Sequence, residues 1–300
     1  MPATSANLGP GFDAFGLCLG LYDDLAATAT ETGLVVDVAG EGAESVPLDE
    51  QHLVIRAMRA TFDLLGVAQP GLSLAAENRI PHARGLGSSA AAIVAGIRLA
   101  QALAPDVELG ADDALSLAVE LEGHPDNVAA CLFGGLTIAW TDLQGSSAAR
   151  VEVDARVRAT VLVPGAGVST EVARGILPET VPHRAASANA GRAGLLVAAL
   201  TGQPELLHPA TRDWLHQKYR RPAMPATLQL VTALRDSGVA AMVSGAGPSV
   251  LVLGTADSPA YDALVPVGWD TLALAIDGVG CVWTPVGAGS GPAEQRSAPT

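Results

Sequence analysis

The sequence predicts an α+β protein, and three observations carry that prediction. Strand-like and helix-like segments are mixed without the regular strand–helix–strand beat of a doubly wound sheet. Apolar residues make up 49% of the 300, enough for a substantial core. A glycine-rich turn, "RGLGSS", opens a helix that is apolar on nearly every side. In chain order, residues 1–23 begin with turn-formers and then become apolar, and any strand ahead of them would be absent or very short. Residues 24–40 read as two strands joined near Gly33. Residues 51–66 have helical spacing, with Leu53, Ala57, Ala60 and Leu64 on one face. "GLSLAAENRIP" reads as a strand that leads into a helix starting near Ser88. A helix over 111–123, a short helix and a strand within "HPDNVAACLFGGLTIAW", and strands within 151–163 come next. "STEVARGILP" has a Ser/Thr cap, an acidic first turn and a stop at Pro178. "ANAGRAGLLVAAL" and "ATLQLVTALRDSG" are further helices, the second stopping at Gly238. "AAMVSGAGPSVLVLG" (240–254) is strand, glycine turn, strand. Residues 289–300 are small, polar and proline-rich, and are expected to be a disordered tail.

The formal charge of −14 without a basic cluster argues against a nucleic-acid partner. Apolar runs fall well short of the roughly 20 residues that span a bilayer, so no membrane partner is expected. The start has no basic region followed by an apolar core, as a signal peptide would. Cys18, Cys131 and Cys281 are too few and too scattered for a disulfide framework or a zinc site. A reducing, cytoplasmic location is expected.

"PHARGLGSSAAAIVAG" (81–96) holds the first chemical signal. A buried helix start leaves N–H groups without partners, and an anion can satisfy them with help from the helix dipole. Gly85 and Gly87 let backbone approach phosphate oxygens, and Ser88 and Ser89 add hydroxyls. The loop is not a Walker A motif, since Ser88 stands where Lys is needed, and it lacks the last glycine of a dinucleotide fingerprint. Spacing alone fits equally well a glycine turn capped by Ser88.

Four motifs together go further. "PHARGLGSSAA" resembles the second motif of the GHMP kinase superfamily, and "SGAGPSV" (244–250), with Gly245 and Gly247, resembles its third. "PATSANLGPGFDAFGLCL" (2–19) and "EGHPDNVAACLFGG" (122–135) are similar to the homoserine-phosphorylating branch of that superfamily. The four occur in the family's order, and the resemblance runs from residue 2 to about 288. It implies a two-domain fold: an N-terminal domain over 1–155 like domain 2 of ribosomal protein S5, carrying the ATP loop, and a ferredoxin-like C-terminal domain over 156–288. It implies ATP and Mg2+ as cofactors, phosphorylation of the L-homoserine hydroxyl, and a homodimer. Other acceptors of mevalonate or sugar type, or a non-catalytic relative, are the alternatives.

The resemblance also implies roles. The ATP cradle is Pro81, His82, Ala83, Arg84, Gly85, Leu86, Gly87, Ser88, Ser89, Ala90 and Ala91. Ser89 and a helix-borne Glu hold Mg2+. On a helix over 112–122 the apolar stripe is Ala114, Leu117, Ala118 and Leu121; Glu122 lies at its edge and Glu120 points to solvent. Glu122 is therefore the expected ligand, with Glu120 the alternative. Asn7, Asp13, His124 and Asn127 match substrate-side positions, Asp13 suiting an ammonium group. Asp126 and Asn127 are the catalytic pair. A bidentate clamp for the substrate carboxylate is expected at Arg192 and Arg220.

Overall fold

The computed structural model describes residues 1–143 and 145–284; the tail expected at 289–300, with the last residues of the 156–288 segment, lies outside them. The chain runs β1 (Pro2–Ala6), β2 (Phe15–Tyr22), β3 (Asp24–Thr30), β4 (Leu34–Gly40), α1 (Leu53–Leu65), β5 (Gly71–Asn78), α2 (Ser88–Leu103), α3 (Ala111–Glu122), α4 (Pro125–Phe133) and β6 (Leu136–Asp142). It continues through β7 (Gly145–Val151), β8 (Arg158–Pro164), α5 (Thr170–Gly175), α6 (His183–Thr201), α7 (Leu207–Ala210), α8 (Pro225–Asp236), β9 (Ala240–Val243), β10 (Val250–Gly254) and β11 (Trp269–Leu274).

Three sheets result. An antiparallel sheet has the order β1-β2-β6-β7, a second has β11-β8-β10-β9, and a smaller one has β3-β5-β4. The α+β class expected from the sequence is the one observed. In the small sheet the turn at Gly33 does not make a hairpin. β5 inserts between the two strands, antiparallel to β3 and parallel to β4. The parallel pair needs a crossover, which α1 supplies. β5 takes the central place because it brings Leu72 and Leu74, both buried, to the layer under α1.

Helix α2 lies in the main core, with Ala90, Ala91, Ile93, Val94 and Ile97 buried, as its all-round apolar sequence requires. The face of α1 is rotated from the expected one. Val54, Ile55, Met58 and Phe62 point inward, while Leu64 is exposed. The sequence also hid β1, which sits in what looked like turn-formers, because Ala3, Thr4 and Ser5 are small and fully buried. Strand β11 carried no recognised pattern.

After β11 the chain returns to the first sheet. Gly20 donates to the Ala275 carbonyl at 2.8 Å, Ile276 bridges Leu19, and Cys281 donates to the Cys131 carbonyl at 2.7 Å. The three cysteines are free thiols, Cys18 and Cys131 buried. Among the described residues no helix is long and apolar enough to cross a membrane.

Candidate active site

A cavity of about 160 Å³ opens where the loop ahead of α2, the start of α4, helix α5 and the β9–β10 turn converge. The loop 81–87 is fixed from two sides. Thr4 on β1 donates its N–H to the Leu86 carbonyl at 3.0 Å, and the Ser244 hydroxyl donates to the Gly85 carbonyl at 2.7 Å. Gly87 precedes α2 with φ +70°, and Ser88 and Ser89, in the first turn of that helix, line the cavity. No side chain caps α2. A Cβ on Gly87 would collide with the Thr4 hydroxyl and crowd Asn127 Oδ1 at 3.1 Å, although Thr4 donates to that same oxygen at 2.8 Å. Gly87→Ala should therefore lower the melting temperature by several degrees, a cost above about 1 kcal/mol, and raise the ATP KM. A thermal melt with parallel kinetics checks both.

Ser89 and Glu122 meet at the rim. The Ser89 hydroxyl donates to Glu122 Oε1 at 2.6 Å. Burial pushes the Glu122 carboxyl up from the usual carboxylate range, against the Ser89 hydrogen bond that favours the charge. Glu120 is exposed and does not line the cavity. Among the described residues no three His, Cys, Asp or Glu side chains could cage a metal ion. One carboxylate and one hydroxyl beside an anion cradle nevertheless fit Mg2+, which takes one or two carboxylates and completes its shell with phosphate and water.

The start of α4 supplies the next group. Pro125 occupies the first helical turn and brings Asp126 and Asn127 inward. Asp126 Oδ1 accepts from the Asn127 N–H at 2.8 Å and lies 2.8 Å from His124 Nδ1. Burial works against the charge on His124, but the Asp126 carboxylate outweighs it and holds the imidazole above its ordinary pKa.

The opposite wall is cationic. Arg174 on α5 makes a two-pronged contact with Asp13, at 2.5 and 3.1 Å. Arg220 is 1% exposed and donates from Nη1 to the Gly245 carbonyl at 2.9 Å, while its Nε has no partner. Among the described residues it forms no ion pair with a carboxylate. Burial and then repulsion from Arg174 push its pKa down to about 10. Both guanidinium groups sit 5.9 Å from the Phe12 ring centre. A buried cation without a counter-ion is costly, and a carboxylate entering here would supply one.

The loop after β1 holds these groups in place through strained backbone. Asn7, Leu8 and Asp13 have positive φ, as does Ala83 across the cavity. Asn and Asp tolerate that region; Leu and Ala do not. Asn7 Nδ2 donates to the Gly245 carbonyl at 2.8 Å and its Oδ1 accepts from the Asp13 N–H at 3.0 Å. Asn189 on α6 donates to the Pro10 carbonyl at 2.7 Å.

The structure thus brings together Asn7, Ala83, Gly85, Leu86, Gly87, Ser88, Ser89, Glu122, His124, Asp126, Asn127 and Arg220, with Asp13 reached through Arg174. Pro81, His82 and Arg84 belong to the loop but do not line the cavity, and Ala90 and Ala91 are buried in the core beneath it. Arg192 is not brought there. It stands on α6, where its charge acts on Arg235 beside a separate surface hollow. Thr170 and Arg174 were missed. Their spacing of four on a helix places them on one face, but "STEVARG" read only as a capped helix.

The GHMP kinases N terminal domain matches residues 52–135, and the GHMP kinases C terminal domain matches residues 195–268. The homoserine kinase of Streptomyces coelicolor is 53% identical over 293 residues, covering 97% of this chain and 95% of that protein. That of Clavibacter michiganensis is 54% identical over 301 residues, covering 98% and 95%. The crystal structure of homoserine kinase from Cytophaga hutchinsonii superposes with a TM-score of 0.81 at 27% identity, over 93% of this chain and 94% of that one. The mevalonate kinase of L. major, at 19% identity and a TM-score of 0.69 over 93% and 95%, shares the fold.

Proposed function

This chain belongs to the GHMP kinases, and on that premise we propose that it transfers the terminal phosphoryl group of ATP to the side-chain hydroxyl of L-homoserine, giving ADP and O-phospho-L-homoserine for threonine biosynthesis. The observation that carries the acceptor is the buried, unpaired Arg220 beside the Arg174–Asp13 pair. An amino acid fits that arrangement at both ends: its carboxylate between the two arginines, its ammonium against Asp13. Three relatives matched over 96–98% of this chain, at 53–54% identity, are homoserine kinases.

Phosphoryl transfer asks a protein chiefly for positioning and charge neutralisation. The N–H groups of the loop and of the first turn of α2 receive the phosphates. Ser89 and Glu122 would hold Mg2+, which offsets phosphate charge when bound. Asn7 positions the clamp loop, His124 fixes Asp126, Asn127 orients the acceptor hydroxyl, and Asp126 receives its proton. We place the enzyme in the cytoplasm, acting as a homodimer.

A panel of acceptors in a coupled ADP assay tests this. Homoserine should be preferred over mevalonate and galactose by at least about a hundredfold in kcat/KM, because mevalonate lacks the ammonium group that suits Asp13 and galactose lacks the carboxylate as well. Turnover of mevalonate or a sugar without homoserine overturns the assignment. ATP binding by calorimetry with no turnover of any acceptor would instead point to a non-catalytic relative.

A further inference from the structure

The side chain of Arg84 points away from the cavity that its neighbours line. It reaches instead to the end of β8, where Nε donates to the Pro164 carbonyl at 3.0 Å and Nη2 donates to the Gly165 carbonyl. Nη1 folds back onto the His82 carbonyl at 2.9 Å. Among the described residues Arg84 forms no ion pair, so its donors are spent on backbone alone. The chain beyond β8 returns the contact: the Val168 N–H donates to the Ala83 carbonyl at 3.1 Å. At Gly167 the two segments touch so closely that a Cβ would collide with Arg84 Nη1 and lie 2.9 Å from the Ala83 carbonyl.

This segment leads directly into the acceptor side of the site. Ser169 caps α5, which carries Thr170 and Arg174 into the cavity. A helix of six residues has little stability of its own. Its placement depends on its anchors: Ala173 in the core, Arg174 on Asp13 and, at its N-terminal end, the phosphate loop. The loop in turn presents backbone N–H groups to the cavity, and an anion bound there would hold it further. Each ligand therefore lowers the ordering cost of the other.

We propose that Arg84 is a positioning residue that ties the phosphate loop to α5, so that nucleotide and acceptor bind with positive cooperativity. This rests on the functional reading above. Arginine suits the task because its planar fork spans two successive carbonyls, which an ammonium group cannot do in one geometry.

Calorimetric titration of homoserine into the full chain, with and without a saturating non-hydrolysable ATP analogue and Mg2+, measures the coupling, and the reverse titration measures it again. In the parent protein nucleotide should tighten homoserine by about fivefold or more, and homoserine should tighten nucleotide by the same factor, as linkage demands. Arg84→Ala should bring both factors to within about twofold of one. Arg84→Lys should fall between. If Arg84→Ala does not fold, Arg84→Gln, which keeps much of the side chain but cannot span two carbonyls, makes the same test. A coupling factor of one in the parent protein, or an unchanged factor in the variants, overturns the proposal. So does loss of nucleotide affinity in the absence of homoserine, which would mean a direct phosphate contact. Failure of the parent protein to bind homoserine in any state would overturn the functional reading itself, and is separable from these outcomes.

Discussion

Replacing Arg174 by alanine is expected to raise the homoserine KM by about one to two orders of magnitude, with a far smaller change in the ATP KM. Arg174 and Asp13 are only half-buried, so water screens the pair between them; losing a two-pronged, charge-assisted bond to the substrate carboxylate costs about 1.5–3 kcal/mol, and each 1.4 kcal/mol is about tenfold in affinity. Arg174 touches Asp13 with two prongs and stands beside Arg220 at the Phe12 ring. Its removal leaves Asp13 unpaired and the acceptor carboxylate with one arginine in place of two. Arg192→Ala is the control. Arg192 stands on α6 outside the cavity, so its loss should move the homoserine KM by no more than about twofold. Steady-state kinetics with each substrate varied in turn decide the matter. Equal increases in both KM values for Arg174→Ala, or a large homoserine effect for Arg192→Ala, would reject a clamp built from Arg174 and Arg220.

Glu122→Gln should separate activity from stability. The variant keeps the shape of the side chain but loses the negative charge that the proposed Mg2+ site needs, so kcat should fall by at least about a hundredfold and the dependence on Mg2+ concentration should weaken. Its melting temperature at pH 7 without Mg2+ should rise. The sign comes from the direction of the shift. Burial raises the Glu122 pKa in the folded state, so the folded chain holds that proton more tightly than the unfolded chain does. Ionising the carboxyl therefore costs stability at every pH above the unfolded value near 4. Glutamine carries no such cost, and its advantage should shrink as the pH is lowered towards 4. Glu120→Gln, on the exposed face of the same helix, should change neither property. If Glu120→Gln is the variant that loses Mg2+ dependence, the face of α3 has been misjudged.

The unequal legibility of the site has a physical basis. Gly85, Gly87 and Ser89 were readable because backbone conformation and anion chemistry leave few residue choices at those positions. Glu122 was readable because a helix of known phase sets which of two carboxylates faces inward. The proposed carboxylate clamp was only half readable. Arg220 and Arg192 looked alike in sequence, each an arginine in a plausible helix. What separates them is tertiary: one is buried against Gly245, the other stands on α6 outside the cavity. Arg174 fared worst, since its short helix advertises a cap and nothing else. The fold shows the same division. Long periodic helices such as α2 and α8 were found nearly whole, while β1 and β11 were missed. Residues 2–6 are small and polar in part, and become a strand only because β2 pairs with them register by register. The insertion of β5 between β3 and β4 is likewise a choice among strand partners that no local pattern encodes.

The return of residues 275–281 to the first sheet bears on how the chain assembles during synthesis. β2 emerges from the ribosome early, yet the segment that closes on its second half, at Leu19 and Gly20, emerges only after β11 has been made. Until then that stretch of β2 has unpaired edge groups, and Cys18 and Cys131 lack part of the cover that residues 277–281 provide. An early-made sheet held incomplete for so long is a target for holding chaperones and for stray strand pairing. The first sheet is therefore completed only after the far end of the described chain has been made.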